Sequence, residues 1–438
     1  MIMKITTVGG YEEVGRNMTA VEASGETFII DMGIRLDRVM IHEDTDTSEM
    51  SQKELIDKGI VPDISKVKGN VKAIILGHGH LDHIGAVAHL AKNYKNAPII
   101  GTPYTIELIK HERRYATIPN QLVVLEQGET MDISSKTSIE FVRMTHSIPH
   151  STMCVAHTNE GTLVYANDFK LDDTPVIGKK PDYDRLKQIG KDGVDVLIVE
   201  SVHVSNEGRT PSEEIAKKLT EDILLKSDPD KGVVITTFSS QIARIQAITE
   251  IASSMGVTPL LLGRSMQKYT SIAEKLKILD LPDGTLVYGD QKSIKKVLTR
   301  VVNDGKEKYL PIVTGHQGEP DALLSKITAG KLPYKIEHDD QVIFSSGVIP
   351  NPINEANRYA LETKLHMLGA RIYKDAHVSG HASKEDHRDV LKILQPKNII
   401  PCHGNLTMLA TYAELAEELG YSIDKDIYLR RNGQVVNL

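Results

Sequence analysis

The order of apolar and polar runs predicts a strand-rich first half. Short β-favouring runs, separated by Gly, Asn and charged turns, predict eight strands: MKITTVGG, MTAVEA, TFIIDMG, VKAIILG, APIIGT, SIEFVRMTHS, TLVYAND and DVLIVES. After VKAIILG the apolar positions recur at helical spacing, which predicts a helix containing Ile84, Val87, Leu90, Ala91 and Tyr94. The local pattern is therefore a strand, a polar loop and a helix.

From about Glu207 each predicted strand is followed by a helix. The pairs are GVVITTF with SQIARIQAITEIASSMG, TPLLLG with SMQKYTSIAEKLKIL, YLPIVTG with DALLSKITAG, and QVIFSSG with NEANRYALETKLHMLG. Such alternation is typical of a parallel sheet covered by helices. The strands RIYKDAHVS and NIIPCHG, each with a helix after it, close the chain. We therefore predict the α/β fold class.

Composition places the chain among globular proteins. It has 438 residues, of which 40% are hydrophobic and 25% charged, so we expect two domains. No stretch approaches the roughly 20 apolar residues of a membrane span, and from the pattern of MIMKITTVGG we expect no export signal. The two cysteines, Cys154 and Cys402, fit no paired metal spacing, which favours a cytoplasmic location. The net charge of −7 argues weakly against a protein coated in nucleic acid.

The segment HGHLDH concentrates candidate metal ligands directly after a predicted buried strand. From their alternation in an extended loop we expect His78 and His80 to point the same way, and Asp82 and His83 to face a neighbouring point. Imidazole and carboxylate donors suit zinc or manganese, so the spacing predicts two adjacent metal ions. A solvated polar loop is the alternative interpretation.

HGHLDH resembles the HxHxDH motif of the metallo-β-lactamase superfamily. The family's other motifs follow in order, as Asp31 in FIIDMG, His146 in THSIPHS, Asp168 in YANDFK and His403 in IIPCHG. The resemblance implies an αββα sandwich with two divalent metal ions, zinc first and manganese as the alternative. It implies one metal held by His78, His80 and His146, a second held by Asp82, His83 and His403, and Asp168 shared. Asp31 is expected to support a ligand from behind.

Further motifs resemble the β-CASP branch of that superfamily. VES, HVSGHAS and PCHG match its motifs A, B and C, carried by Glu200, His381 and His403. Together with THSIPHS, NDFK, TGHQGEP and FSSGVIPN they resemble the ribonuclease J family, in a short form similar to its archaeal branch. The resemblance implies a metallo-β-lactamase domain in two parts, 1–208 and 355–438, with an inserted β-CASP domain at 209–354.

The resemblance also implies an activity. We expect a 5′ to 3′ exoribonuclease that prefers 5′-monophosphorylated single-stranded RNA, releases 5′-nucleotides and acts in RNA decay and maturation. The expected catalytic residues are His381, Asp82 and Glu200, with His381 as a transition-state contact or proton donor. A membrane partner is not expected, and a homodimer is one option. The chain departs from bacterial members, which commonly carry Asp and Ser where it has His150 and His316; a tuned site and a tolerated substitution are both open.

Candidate RNA-binding residues lie where strands end and helices or turns begin. Helix N-termini and backbone amides bind phosphate well, although ordinary helix capping is the alternative for each residue. The candidates are Ser239, Ser240, Arg244, Arg264, Ser345 and Ser346, together with His377, Ser379, Gly380 and His381 of motif B. The basic stretches IKHERRY and QKSIKKVLTR are candidates for contact with the RNA backbone, or solvated faces.

Other functions remain as alternatives at this point. A β-CASP endoribonuclease or a DNA nuclease fits the same motifs. A small-molecule metallo-hydrolase shares the metal ligands but has no use for the inserted domain. A non-catalytic RNA-binding subunit is disfavoured because every ligand position is filled.

Overall fold

The computed structural model describes residues 3–41, 50–112 and 118–438. Contacts divide the chain into two compact units. The first consists of Met1–Leu171, Lys180–Thr210 and Gly380–Leu438, and the second of Asp172–Lys179 and Pro211–Ser379. The first unit is therefore built from both ends of the chain.

The first sheet of this unit contains most of the N-terminal strands. In chain order, its strands within the described residues are β1 (Lys4–Gly9), β2 (Met18–Ala23), β3 (Glu26–Ile30), β4 (Val71–Leu76), β5 (Ile99–Gly101), β6 (Leu122–Val124) and β19 (Val435–Asn437). Their order across the sheet is β19-β1-β2-β3-β4-β5-β6. β19, β1, β2 and β3 pair antiparallel, whereas β3 to β6 pair in parallel.

The second sheet mixes antiparallel and parallel pairing. Its described strands are β7 (Thr130–Asp132), β8 (Thr137–Arg143), β9 (Thr152–Thr158), β10 (Gly161–Ala166), β11 (Val196–Glu200) and β18 (Asn398–Cys402), in the order β18-β11-β10-β9-β8-β7. β10, β11 and β18 are parallel neighbours, so their carboxyl ends lie at one edge. This edge positions residues from three distant parts of the chain.

The two sheets pack face to face around one apolar core. Phe28 and Ile75 of the first sheet share a fully buried cluster with Phe141 and Ile198 of the second. Burial of one such side chain contributes about 1.5 to 3 kcal/mol. The helices of this unit are α1 (Leu36–Ile41), α2 (Gln52–Asp57), α3 (Leu81–Ile84), α4 (Val87–Leu90), α5 (Pro103–His111), α6 (Tyr183–Asp192), α13 (Lys384–Leu394) and α14 (Leu406–Glu417).

Helices cover the outer faces of the sandwich. Leu186 of α6, Leu391 of α13 and Tyr412 of α14 pack with Val164 and Val199 of the second sheet. α5 contacts β5 and β6 of the first sheet. Short 3₁₀ turns occur at Ile64–Lys66 and Ala91–Tyr94. The layers are helix, sheet, sheet and helix, as predicted.

The second unit is a parallel α/β layer structure. Its elements are α7 (Glu213–Leu225), β12 (Val233–Thr236), α8 (Ile242–Ser254), β13 (Thr258–Leu262), α9 (Arg264–Lys275), β14 (Leu286–Tyr288), α10 (Gln291–Asp304), a 3₁₀ turn at Lys306–Lys308, β15 (Tyr309–Val313), α11 (Leu323–Thr328), β16 (Gln341–Phe344), α12 (Pro352–Met367) and β17 (Arg371–Tyr373). The strand order is β14-β13-β15-β12-β16-β17, and every pair is parallel. The predicted α/β fold class, with an αββα sandwich and an inserted parallel α/β layer, is confirmed.

Several elements differ from the sequence prediction. The single helix predicted after β4 is instead α3, α4 and a 3₁₀ turn, since α3 ends at Ile84 and α4 begins at Val87. A Cβ at Gly85 would lie 2.7 Å from the Ile34 side chain, so the backbone there packs too closely for one. β9, which lies inside the second sheet, was not predicted. Only Arg371–Tyr373 of the run RIYKDAHVS forms a strand.

The two compact units differ from the predicted domains in two places, since Asp172–Lys179 and residues 355–379 both belong to the second unit. Residues 355–379, assigned by the sequence to the last domain, belong to the second unit because β17 pairs with β16 and α12 packs on β17. The boundaries at 208 and 354 stay a prediction about inserted domains. Among the described residues, no helix combines the length and apolar character needed to cross a membrane.

Candidate metal centre

The polar residues of the first unit converge where its strands end. His78 and His80 follow β4, and Asp82 and His83 lie in the first turn of α3. Loop backbone fixes α3 in place, since Asn17 and Met32 donate their N–H groups to the carbonyls of Asp82 and His83. A strand followed at once by a ligand-bearing turn aims these side chains across the sheet edge.

Parallel pairing brings the remaining residues to the same place. Asp168 follows β10, Glu200 ends β11 and His403 follows β18, and these three strands are parallel neighbours. His146 follows β8, with β9 pairing between β8 and β10. The carboxyl ends of parallel strands share one edge of a sheet, which is where α/β proteins place their sites.

One group of donors consists of His78, His80, His146 and Asp168. One donor atom from each residue lies within 4.8 Å of those of the others. His146 Nε2 is 3.1 Å from His80 Nδ1, and Asp168 Oδ2 is 3.7 Å from Nε2 of both His78 and His146. These separations match a set of atoms that surround a single point.

A second group consists of Asp82, His83, His403 and again Asp168. His83 Nε2 lies 3.2 Å from Asp168 Oδ2 and 3.6 Å from Asp82 Oδ2. His403 Nε2 lies 3.5 Å from Asp168 Oδ1 and from Asp82 Oδ2. Oδ2 of Asp168 thus lies near donors of both groups and Oδ1 lies near His403, so this one carboxylate is common to the two donor sets and could be shared by two cations.

The donor set fits divalent cations. Both ring nitrogens of His78 and Oδ1 of Asp168 are buried without any hydrogen-bond partner among the described residues. An unsatisfied buried polar atom costs about 1 to 3 kcal/mol, so a folded site normally satisfies it by another contact. Nitrogen and oxygen donors together are the ligands that zinc and manganese accept.

Burial keeps three of the imidazoles neutral. It lowers the pKa of His78 and His146 well below the usual range and that of His80 to about 4. A neutral imidazole has the lone pair that a metal requires. These three residues are therefore in the ligating protonation state at neutral pH.

For His83 and Asp168, neighbouring charges outweigh burial and favour the charged form. Burial opposes the charged form of His83, but Asp168, Asp82 and Asp31 raise its pKa. Burial likewise opposes ionisation of Asp168, but His403 and His83 lower its pKa. A cation held by this group would take the place of a proton on His83, so its binding would release protons.

Asp31 lies behind His83 at the end of β3. Its Oδ2 is 2.7 Å from His83 Nδ1, and its Oδ1 accepts the N–H of Gly77 at 3.3 Å. The first contact leaves Nε2 of His83 to face Asp168. A carboxylate in this position fixes the orientation of a ligating imidazole.

A third group places a histidine beside the shared carboxylate. His381 Nδ1 lies 2.6 Å from Glu200 Oε2 and 4.0 Å from Asp168 Oδ2. Glu200 is fully buried and its other oxygen accepts the N–H of Phe169 at 2.9 Å. Burial opposes protonation of His381, but Glu200 and Asp168 raise its pKa to about 9. Glu200 therefore orients the ring and favours its protonated form.

Gly380, predicted to bind substrate, packs against the site itself. Its carbonyl lies 2.6 Å from His146 Nδ1. A Cβ at this position would lie 2.7 Å from Cβ of Ser147, which leaves room only for glycine. Gly380 thus orients a candidate ligand through its backbone.

Two residues of the site were missed by sequence reasoning. Asn17 Nδ2 lies 3.1 Å from His83 Nε2 and 3.0 Å from His403 Nδ1. The His203 ring centroid lies 5.5 Å from that of His381. Asn17 has no motif spacing to reveal it, whereas His203 follows Glu200 by three residues and was a detectable neighbour.

The remaining substrate-binding candidates lie in the second unit, at the carboxyl ends of its strands. Ser239 and Ser240 follow β12, Arg264 begins α9 after β13, and Ser345 and Ser346 follow β16. His377 and Ser379 follow β17. Because these strands are parallel, the residues share one edge of the sheet.

Burial separates these candidates into two kinds. Within the described parts of the chain, Ser346 Oγ is buried without a hydrogen-bond partner, whereas Ser345 Oγ donates to the carbonyl of Ala376 at 2.7 Å. Arg244 is fully buried, and its guanidinium bonds Glu213 and Ser345. The expectation that Arg244 lines a nucleotide channel is therefore wrong, because its donors are already used inside the unit.

The two departures from bacterial members are both shielded residues. Burial lowers the pKa of His150. The ring of His316 packs 3.9 Å from that of Phe238, and burial lowers its pKa to about 3. Both are uncharged at neutral pH, and their roles stay open.

The predicted basic stretches differ in what the structure describes. Residues 113–117, which include the last three residues of IKHERRY, lie outside the described residues. QKSIKKVLTR forms most of α10, with Lys292, Lys295 and Lys296 exposed. Contact of this helix with RNA stays a prediction.

Family models cover nearly all of the chain. The model "Metallo-beta-lactamase superfamily" matches residues 11–237 and "Ribonuclease J, beta-CASP domain" matches 230–361. The model "Zn-dependent metallo-hydrolase RNA specificity domain" matches 366–429. The order of these matches agrees with the order of motifs in the sequence.

Similar proteins agree with the family models. The chain is 54% identical to ribonuclease J of Methanocaldococcus jannaschii over 444 residues, covering 100% of this chain and 99% of that protein. It is 52% identical to ribonuclease J of Pyrococcus abyssi, covering 100% and 97%. A solved structure, titled as a protein of unknown function from Enterococcus faecalis V583, matches over 100% of both chains with 16% identity and a TM-score of 0.66, which supports the fold alone. The chain belongs to the ribonuclease J family and is a metal-dependent β-CASP nuclease.

Proposed function

We propose that the protein is a 5′ to 3′ exoribonuclease that prefers 5′-monophosphorylated RNA, releases 5′-nucleotides and acts in RNA decay and maturation. Family membership supports an RNA substrate. The observation that carries the proposed chemistry is the position of Asp168, whose carboxylate belongs to both groups of donors and lies 3.7 Å from His78 Nε2 of one group and 3.2 Å from His83 Nε2 of the other. The free, buried cysteines Cys154 and Cys402 agree with the expected location in a reducing cytoplasm.

Two divalent cations, with zinc first and manganese as the alternative, are part of this proposal. His78, His80 and His146 would hold one, and Asp82, His83 and His403 the other, with Asp168 shared. The unsatisfied buried atoms of His78 and Asp168 support both assignments. When bound, such a pair of ions lowers the pKa of water and neutralises charge on a phosphate.

His381 is the residue proposed to contact the reacting phosphate. Glu200 accepts the hydrogen of Nδ1, so Nε2 is the nitrogen directed to the substrate. From Nε2 a protonated ring can donate to a phosphate oxygen or to the departing 3′ oxygen of the RNA. Proton donation of this kind typically contributes 10²- to 10⁴-fold to a rate.

Recognition of the 5′ end is proposed for the strand ends of the second unit. One edge of its sheet carries Ser239, Ser240, Arg264, Ser345 and Ser346, and the hydroxyl of Ser346 is buried with no partner among the residues that the structure describes. Hydroxyls and an arginine at a helix start suit a terminal monophosphate. A 5′-hydroxyl leaves such donors unpaired, at about 1 to 3 kcal/mol, and a triphosphate adds bulk and charge.

RNAs that differ only at the 5′ end test this proposal. We expect fast decay of 5′-monophosphorylated RNA and slower decay of RNA with a 5′-triphosphate or 5′-hydroxyl. RNA labelled at its 5′ phosphate should release labelled mononucleotide first. RNA labelled at its 3′ end should lose full-length signal without a ladder of short labelled fragments.

The same experiment identifies the competing activities. Discrete internal fragments, formed equally from all three 5′ ends, would replace the proposal with an endoribonuclease. Matched single-stranded DNA degraded as fast as RNA would replace it with a DNA nuclease. Metal-loaded protein without activity on any polynucleotide, but active on thioesters or lactones, would favour a small-molecule hydrolase.

A further inference from the structure

The backbone of His381 is held by a residue that no motif includes. The hydroxyl of Thr210 donates a hydrogen bond of 2.7 Å to the carbonyl of His381 and lies 2.9 Å from Oγ of Ser383. Thr210 is only 6% exposed, so water competes little for this contact. A threonine 171 positions earlier in the chain therefore holds the turn that carries the candidate proton donor.

Thr210 is itself held by a buried carboxylate. Oδ2 of Asp386 accepts the N–H of Thr210 at 2.9 Å and the N–H of Ser383 at 3.1 Å. Asp386 is 1% exposed, and its other oxygen lies 3.6 Å from Arg209 Nη1. One carboxylate thus connects the segment before residue 211 to the segment that begins α13.

The anchors on His381 are complementary. Glu200 fixes the ring at Nδ1, whereas Thr210 fixes the main chain at the carbonyl. With the ring anchor alone, the ring can shift together with its backbone. With both anchors, the distance from Nε2 to a bound phosphate is defined, and errors of about 1 Å in such distances can cost 10²-fold in rate.

We propose that Thr210, held by Asp386, is a positioning residue for RNA hydrolysis and acts through His381. This inference rests on the proposed role of His381 as the group that contacts the reacting phosphate. The same contacts of Thr210 also allow a purely structural role. The chain leaves the first unit after Thr210 and returns to it at Gly380, so the same contacts join the two ends of the inserted segment.

Substitutions of Thr210 separate the two roles. Thr210→Val removes the hydroxyl, keeps nearly the same shape and leaves the backbone N–H for Asp386. Thr210→Ser keeps the hydroxyl and removes only the methyl group. Thr7→Val is the matched control, because Thr7 is also buried in the first unit and its hydroxyl donates to the carbonyl of Arg431 at 2.6 Å.

The readouts are the single-turnover rate, KM for RNA, metal content and Tm of the full-length protein. We expect Thr210→Val to lower the single-turnover rate about tenfold, with KM and metal content unchanged. Thr210→Ser should restore the rate to within about threefold of the wild type. Thr7→Val should change Tm but not the rate.

Several results would overturn the inference. A wild-type rate in Thr210→Val, together with a lowered Tm, would show that the contact stabilises the fold and does not position His381. Equal losses of rate in Thr210→Val and Thr210→Ser would exclude the hydroxyl as the cause. If Thr210→Val does not fold, Asp386→Asn takes its place, and a rate equal to the wild type would again refute positioning. His381→Ala with an unchanged rate would instead refute the role proposed for His381, on which this inference rests, whereas the exoribonuclease activity itself is tested separately with the RNAs that differ at the 5′ end.

Discussion

Asp31 and His83 form a pair that is fully buried, with the Asp31 carboxylate 2.7 Å from Nδ1 of the imidazole. This contact leaves Nε2 to face the second group of donors. Asp31→Asn keeps the shape and one acceptor oxygen but removes the charge that orients the ring and raises its basicity. We expect metal affinity to fall about 10- to 100-fold.

Competition with a chromophoric chelator measures that loss. The control is Asp184→Asn, because the Asp184 side chain is 99% exposed and belongs to the same unit. An unchanged affinity in Asp31→Asn would remove Asp31 from the support of the metal site.

The metal ligands and the nuclease activity should be lost together. His80→Ala removes a ligand of one group, and Asp168→Ala removes the carboxylate that both groups share. We expect each variant to lose bound metal and RNA hydrolysis but to stay folded, with a circular dichroism spectrum like that of the wild type. Elemental analysis and RNA decay provide the readouts, with His338→Ala as a control at an exposed position. Full activity in metal-free Asp168→Ala would contradict the two-metal assignment.

His381→Ala should separate chemistry from metal binding. The ring lies against Glu200 and Asp168, outside the two proposed ligand sets. We expect metal content to be retained while the single-turnover rate falls about 10²- to 10⁴-fold. A variant that loses metal, yet recovers its rate when metal is resupplied, would reassign His381 to ligation.

The C-terminal segment should be essential for folding of the first unit. A chain truncated after Ala370 lacks β18, which pairs with β11, and β19, which pairs with β1. We expect insoluble protein without bound metal. Full-length His403→Ala is the comparison, because it keeps both strands and loses only the proposed ligand. Soluble, metal-bound, active protein from the truncation would contradict the split domain.

Glu140 should make the stability of the first unit depend on pH. Burial opposes its ionisation, but hydrogen bonds from Arg185 and His157, both at 2.9 Å, lower its pKa to about 2. A depressed carboxyl pKa stabilises the fold above the unfolded-state pKa of about 4.3, and this contribution disappears as the pH falls towards 2.

Glu140→Gln tests that dependence. Because the Arg185 side chain is 38% exposed and stays hydrated, we expect a loss of only about 1 to 2 kcal/mol in the free energy of unfolding at neutral pH. The difference between variant and wild type should shrink below about pH 4.3. Denaturant titrations of metal-free protein at several pH values measure it, and a difference that grows on acidification would contradict the assignment.

Local patterns were sufficient for much of the fold and for the candidate ligands. Alternating and helical periodicities depend on neighbouring residues, so β1 to β5 and the strand–helix units after residue 207 were predictable. HGHLDH is equally local, because its four candidate ligands lie within six consecutive residues, between the end of β4 and the turn of α3. The close approach of Ile34 to Gly85 was not predictable, because Ile34 comes from another segment.

Tertiary structure decided which distant residues meet. No spacing in the sequence indicates that Asn17 lies against His83 and His403, or that Thr210 bonds the carbonyl of His381. The tertiary structure also corrected the prediction that Arg244 binds phosphate. Its sequence context suits a phosphate, but its guanidinium donates to Glu213 inside the second unit. The sequence by itself determined the donor types and their order along the chain. Their assembly around Asp168 depends on the parallel register of β10, β11 and β18, which long-range packing selects.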